Sequence, residues 1–304
     1  QLMKTLKVIT MCILAAASTQ TASGGTSHEP TYADVAYGPY ERNVLDFWKA
    51  DGERPRPLLV YIHGGGWTQG DKARSYGQVR PFLKEGISCA TINYRLTPDN
   101  PLPAPVHDAA RAIQFLRTKA ENWNIDKDRI ALTGGSAGGC TSLWLLLHDD
   151  LADPDAQDPV LRESTRVTAA AVANAQTSID PKVLEKWLGP EVLKHRMIWM
   201  GVGAPNRTAA LEDYETYASL YTAFSPYNHL TADDPPLMMT YRHPMKLPAE
   251  NANHGIHHPE MGVKLKKKAD RLGVGCHLIV KDGPQPSDYA TTHAFLIDKL
   301  LSKD

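Results

Sequence analysis

From residue 58 onward, short apolar runs alternate with longer segments whose apolar residues recur every three or four positions. Leu58-Leu59-Val60-Tyr61-Ile62 is apolar throughout, as in a strand buried on both faces. Residues 87–95, 129–132, 168–175, 237–241 and 276–280 read as further strands. Helical spacing marks 73–85, 106–120, 140–147, 260–272 and 290–301. In the second of these, Val106, Ala109, Ala110, Ile113 and Leu116 share one side. Ahead of the alternation, 34–38 and 43–49 have the two-residue period of an antiparallel pair, with Tyr40-Glu41-Arg42 turning between them. Residues 181–224 are helix-rich and carry Trp187, Trp199, Tyr214, Tyr217 and Tyr221, which suits a small cap. The order predicts an α/β fold: about eight strands in a mostly parallel sheet, helices on both faces, and ligands at the carboxyl ends of the strands.

Two turns stand out at strand ends. The run 129–132 leads into Thr133-Gly134-Gly135-Ser136-Ala137-Gly138-Gly139, and a helix leads out. A serine at such a turn needs glycines beside it, because side chains there would collide with the flanking strand and helix. The helix start also points N–H groups at any negative charge that develops nearby. A phosphate-binding or purely structural glycine turn is the alternative. The second turn, His63-Gly64-Gly65-Gly66-Trp67, follows the buried strand 58–62. Uncrowded N–H groups of Gly65 and Gly66, with that of Ala137, would form an oxyanion hole. His63 reads as a brace for this loop rather than a base.

Composition narrows the picture. The 304 residues are 42% hydrophobic and 22% charged, with a formal net charge of −1 and no long single-sign block, which offers nothing to nucleic acid. The basic stretch Lys264-Leu265-Lys266-Lys267-Lys268 reads as the wet face of a helix anchored by Val263, Leu265, Ala269 and Leu272. The acidic loop 149–159 matches no calcium-loop spacing and reads as solvated. Lys4-Thr5-Leu6-Lys7 followed by an apolar core through Ala17 has the form of a secretory signal, so residues 1–23 are expected to be signal peptide and leader and 24–304 a single domain. That core is too short for a stable membrane span, and the expected location is secreted or periplasmic. Cys89, Cys140 and Cys276 fit no zinc spacing and are expected as buried free thiols.

With these residues in view, the chain resembles the carboxylesterases of the α/β-hydrolase fold that carry an HGGGW loop and a GGSAGG elbow. The resemblance extends over residues 32–301 and includes Asn93-Tyr94-Arg95-Leu96, Asp108, Ser225-Pro226 and Pro235-Pro236-Leu237. The nearest kind is the secreted esterases that deacylate carbohydrates or cleave feruloyl esters. The resemblance implies ester hydrolysis by Ser136 through an acyl-enzyme, no cofactor, and a small-molecule or carbohydrate ester as substrate. It gives no oligomeric state.

The family order is serine, acid, histidine, and the chain departs from it. The acid should follow the strand 237–241 within a few residues, yet 241–248 holds no carboxylate. Glu250 is the first candidate. Asp180 is its rival, since some members of the fold take the acid from the preceding strand. The histidine should follow the last strand, and only His293 lies there, at the closing helix. His257 and His258 are second candidates, read mainly as capping or surface residues. The group His243, His254, His257, His258 and Glu250 raises a metal site, but its spacing fits no known motif. Two functions are therefore expected: a serine esterase using Ser136, His293 and Glu250, or a degenerate relative that binds a ligand without efficient turnover.

Overall fold

The computed structural model of the chain describes residues 29–283 and 287–302. The signal and leader expected over 1–23 lie outside these residues. Eight strands form one sheet: β1 (Tyr32–Ala36), β2 (Val44–Trp48), β3 (Arg56–Ile62), β4 (Ser88–Ile92), β5 (Ile125–Gly135), β6 (Ala169–Ala173), β7 (Leu237–Tyr241) and β8 (Cys276–Val280). They stand in the order β1-β2-β4-β3-β5-β6-β7-β8. β2 pairs antiparallel with both β1 and β4, and the pairs from β4 to β8 are parallel. The alternation predicted such a mostly parallel sheet, and the architecture is the α/β-hydrolase fold that the motif resemblance implied.

The helices α1 (Val79–Lys84), α2 (Ala104–Thr118), α3 (Ala120–Trp123) and α4 (Ala137–Leu147) fall in the first half. The inserted segment holds α5 (Pro181–Leu188), α6 (Met197–Met200), α7 (Arg207–Glu212), α8 (Tyr214–Ala223) and α9 (Pro226–His229). After β7 come α10 (Ala252–Ile256) and α11 (Glu260–Leu272), and α12 (Thr292–Leu301) closes the chain.

Burial follows the two-residue strand period. In β3, Leu58, Val60 and Ile62 join one core cluster with the buried faces of α2 and α4. Leu59 and Tyr61 join the other, with Val79, Phe82, Phe295, Leu296 and Leu300 from α1 and α12. A strand covered on both faces has no position for a polar side chain, which explains its unbroken apolar run. The helix expected over 73–85 is instead a 3₁₀ turn, Lys72–Gln78, followed by α1. Pro81 explains the break: it lacks an N–H, and its ring clashes with the carbonyl four residues back.

Polar clamps fix the loops at the strand ends. The Lys72 ammonium lies 2.5 Å from Asp46 and 2.8 Å from Asp34. Asp46 is fully buried and also accepts from the Tyr76 hydroxyl. These partners push the Lys72 pKa above its usual value against the opposing effect of burial. Arg95 meets Asp108 with both Nη2 (2.7 Å to Oδ1) and Nε (2.9 Å to Oδ2). Cys89, Cys140 and Cys276 are buried free thiols, as their runs suggested.

Candidate active site

Ser136 stands between the end of β5 and the start of α4 with φ 51° and ψ −125°, a conformation L-residues rarely hold. Its N–H donates to Ala173 O at 2.9 Å, and its carbonyl accepts from Cys140 N at 2.8 Å. The flanking glycines are required by contact. A Cβ on Gly134 would lie 2.6 Å from Ile62 O, and one on Gly138 would run into the carbonyls of Ile62 and His63. The elbow and the glycine loop are therefore pressed backbone to backbone.

The glycine loop lies beside the serine. Gly65 takes φ +116°, and a Cβ there would collide with Gln69 O. Trp67 is buried and donates from Nε1 to Thr141 Oγ1 at 3.0 Å, tying the loop to α4. The His63 ring stacks on Tyr94 at 4.2 Å between centroids, and Tyr94 OH donates to His63 O at 2.7 Å. Burial lowers the His63 pKa to about 4, so it stays neutral in its bracing position. The N–H groups of Gly65 and Gly66 donate to no acceptor among the described residues. Both glycines line a cavity of about 280 Å³ with Gln69, Ser136, His195, Arg196 and His257. Ala137, the third expected donor, is the first residue of α4 and is buried.

The histidine that meets the serine is His257. Its Nε2 lies 2.9 Å from Ser136 Oγ. Its Nδ1 lies 3.0 Å from Asn253 O, which can only accept. In the neutral ring, Nδ1 therefore carries the proton, and Nε2 presents a lone pair to the serine hydroxyl. Asn251 caps α10 by accepting from His254 N at 2.9 Å, and His257 closes that helix. Burial lowers the His257 pKa; the Asn253 carbonyl opposes this, and the charge of His243 adds to it. The His243 ring lies parallel to that of His257 at 5.7 Å.

The other predicted members are elsewhere. His293 sits half-buried in the first turn of α12, its ring 4.5 Å from Phe82 of the core on the α1 and α12 side of the sheet. Thr291 caps α12, accepting from Ala294 N at 3.1 Å, and this fixes where position 293 falls. The expectation that His293 serves Ser136 is corrected accordingly. Glu250 turns its carboxylate outward to Lys246 at 2.7 Å and does not meet His257. Asp180 is also committed: it caps α5 through Lys182 N at 2.8 Å and accepts from Tyr214 OH at 2.8 Å. Among the described residues no carboxylate bonds to His257 Nδ1.

The remaining histidines of the group have structural partners. His254 Nδ1 accepts from Glu250 N at 3.1 Å, so its Nε2–H donates to Pro244 O at 2.9 Å. His258 repeats the pattern with Glu260 N and Lys246 O, both at 3.0 Å. No group of three His, Cys, Asp or Glu side chains is arranged to hold a metal ion among the described residues. His257 ranked second in the sequence because it precedes the last strand, where the family order puts no histidine, and because it reads there as a capping or surface residue. The available signal was the connection 242–259, long enough to carry a side chain back over the elbow.

These features agree with comparison to known proteins. The BD-FAE family matches residues 45–243, about two thirds of the chain, and the chain belongs to that family. It is 32% identical over 260 residues to the probable carboxylic ester hydrolase LipM of Mycobacterium tuberculosis, covering 76% of this chain and 55% of that protein. It is 35% identical over 145 residues to esterase LipQ of the same organism, covering 46% and 34% respectively. The chain thus spans about half or less of the length of these curated relatives. Among solved structures, the acetyl ester-xyloside bifunctional hydrolase of Caldicellulosiruptor lactoaceticus superposes with a TM-score of 0.64 at 21% identity, over 84% of this chain and 87% of that one. A truncated carbohydrate esterase from gut microbiota gives 0.65 at 21% identity, over 84% and 88%. Both likenesses concern the fold.

Proposed function

We propose that the chain is a serine esterase acting on small acyl esters, carbohydrate esters among them, through Ser136 and His257. The carrying observation is the 2.9 Å approach of His257 Nε2 to Ser136 Oγ in the tautomer that can accept the proton. Ser136 Oγ attacks the ester carbonyl as its proton passes to His257 Nε2. The carbonyl oxygen, now an oxyanion, is held by the N–H groups of Gly65, Gly66 and Ala137. The bond to the alcohol breaks, His257 returns the proton to the departing alkoxide, and the acyl group remains on Ser136. Water then attacks the acyl-enzyme, giving a proton to His257, and the carboxylic acid leaves as Ser136 recovers its own.

Asn253 O takes over one half of the usual acid's work. It fixes the tautomer and ring orientation, while a neutral carbonyl stabilises the imidazolium less than a carboxylate would. That difference supports a second reading, ligand binding with slow turnover. Names of the relatives support the esterase reading, as carboxylic ester hydrolases and carbohydrate esterases recur among them. The test is hydrolysis of p-nitrophenyl acetate and butyrate by wild type and Ser136→Ala. Turnover that disappears with the serine is expected. Wild-type rates no higher than those of Ser136→Ala would leave the binding reading. We also propose export through residues 1–23 to the periplasm or medium, which a reporter fused to that segment checks by its appearance outside the cytoplasm.

A further inference from the structure

Residues 195–197 pack against the glycine loop. A Cβ on Gly66 would lie 3.7 Å from Met197 Cβ and 4.0 Å from His195 Cε1. This contact brings Arg196 into the wall of the cavity that holds Ser136 and His257. Of the residues lining that cavity, Gly65, Gly66, Gln69 and Ser136 are uncharged. His195 is neutral as well: burial lowers its pKa to about 4, with His257 and Arg196 adding to the effect. Its Nδ1 accepts from Met197 N at 3.3 Å, which leaves Nε2–H as its donor. Among the described residues of the lining, Arg196 is thus the one permanent charge, and no carboxylate joins it there.

The guanidinium is also unspent. It makes no ion pair or side-chain hydrogen bond among the described residues. Lys194, two positions earlier, contrasts with it by pairing with Glu191 at 2.5 Å. An arginine at the wall of a small cavity offers a planar fork of donors that matches a carboxylate. The cavity, about 280 Å³, admits a short group on either side of the ester bond.

We propose that Arg196 forms an anion-recognising subsite of this cleft, so that the preferred substrates are esters bearing a carboxylate close to the scissile bond. This rests on the esterase reading above and names its substrate class. A carboxylate seated on Arg196 would hold the neighbouring ester carbonyl toward Gly65 and Gly66, with His195 Nε2–H and the Gln69 amide as further donors in the same wall.

The test compares matched ester pairs at low ionic strength. Mono-(4-nitrophenyl) succinate against 4-nitrophenyl butyrate places the charge on the acyl side. 4-Acetoxybenzoate against phenyl acetate places it on the alcohol side. Wild type is expected to favour the anionic member of at least one pair by about tenfold in kcat/KM, with the preference shrinking as salt rises. Arg196→Gln should remove that preference and leave the neutral ester within about twofold, and Arg196→Lys should keep part of it. Equal kcat/KM for both members of each pair in wild type, or the same ratio in Arg196→Gln, would overturn the proposal while the esterase reading stands. Should no ester be turned over, the esterase reading fails, and the subsite is read by calorimetric titration with glutarate: binding lost in Arg196→Gln upholds it, and no binding to wild type overturns it.

Discussion

On one side of the cleft, Ser136 and the glycine loop hang from the ends of β5 and β3, strands in register through five successive pairs from Leu58↔Ile130 to Ile62↔Gly134. On the other side, His257 hangs from the five-residue helix α10, within a connection of β7 to α11. The first side is held by backbone contacts that only glycine permits. The second is held by one Asn cap, one carbonyl bond and the packed, hydrogen-bonded rings of His254 and His258. The family match ends at residue 243, before His257. In the proposed esterase, a nucleophile set by the sheet would work with a base carried on the connection that follows β7. What must be kept is the 2.9 Å approach and the tautomer, and an Asn253 carbonyl provides for the tautomer.

The sharpest way to break this comparison is to remove each candidate base. His257→Ala should lower kcat by about 10²–10⁴-fold, the range for a positioned general base. His293→Ala should leave kcat within about twofold, since its ring packs on Phe82 away from the serine. Steady-state kinetics on a p-nitrophenyl ester, with circular dichroism to confirm folding, reads both. Equal losses in the two variants would return the base to the closing helix.

The sheet side was legible in the sequence for a physical reason. Gly134, Gly138 and Gly64 each face a backbone carbonyl that a side chain would strike, so the pattern of glycines is a record of close packing. The unbroken apolar run 58–62 likewise records a strand covered on both faces, and Leu237–Tyr241 and Cys276–Val280 are observed as strands where they were expected. The base side leaves no such record. His254, His257 and His258 are alike as letters, and only the directions of their ring nitrogens separate a base from two structural braces. Glu250 likewise became a candidate by counting from β7, but its carboxylate turns out to Lys246.

Stability probes the sheet side next. Asp46→Ala removes the buried partner of Lys72 and of Tyr76 and should destabilise the fold by about 3 kcal/mol, as when one member of a buried pair is lost. Urea unfolding measures it as a lower midpoint at unchanged slope. Glu250→Gln gives the contrast, because its pair with Lys246 is solvent-exposed. Its unfolding midpoint and its kcat should both match wild type, and a drop in kcat would restore Glu250 to the acid's role.

The smallest expected effect tests the electrostatics of the base. The proposed mechanism needs neutral His257, so kcat/KM should be low where the ring is protonated and rise with pH through its pKa. Burial holds that pKa below the ordinary 6.5, with a further lowering from His243, so the acidic limb should have its midpoint below 6.5. The His243 pKa is itself lowered, by burial and by His254. Within the limb both rings acquire charge, and each opposes the other's protonation. His195 faces the same cavity and stays neutral through this range, its pKa lowered by burial to about 4. His243→Ala removes the mutual repulsion but leaves the burial, so the limb should move upward and remain below 6.5. A carboxylate at Nδ1 would instead have carried the midpoint above 6.5. A wild-type limb centred there would therefore point to an acid facing His257 during turnover, in place of the neutral carbonyl of Asn253.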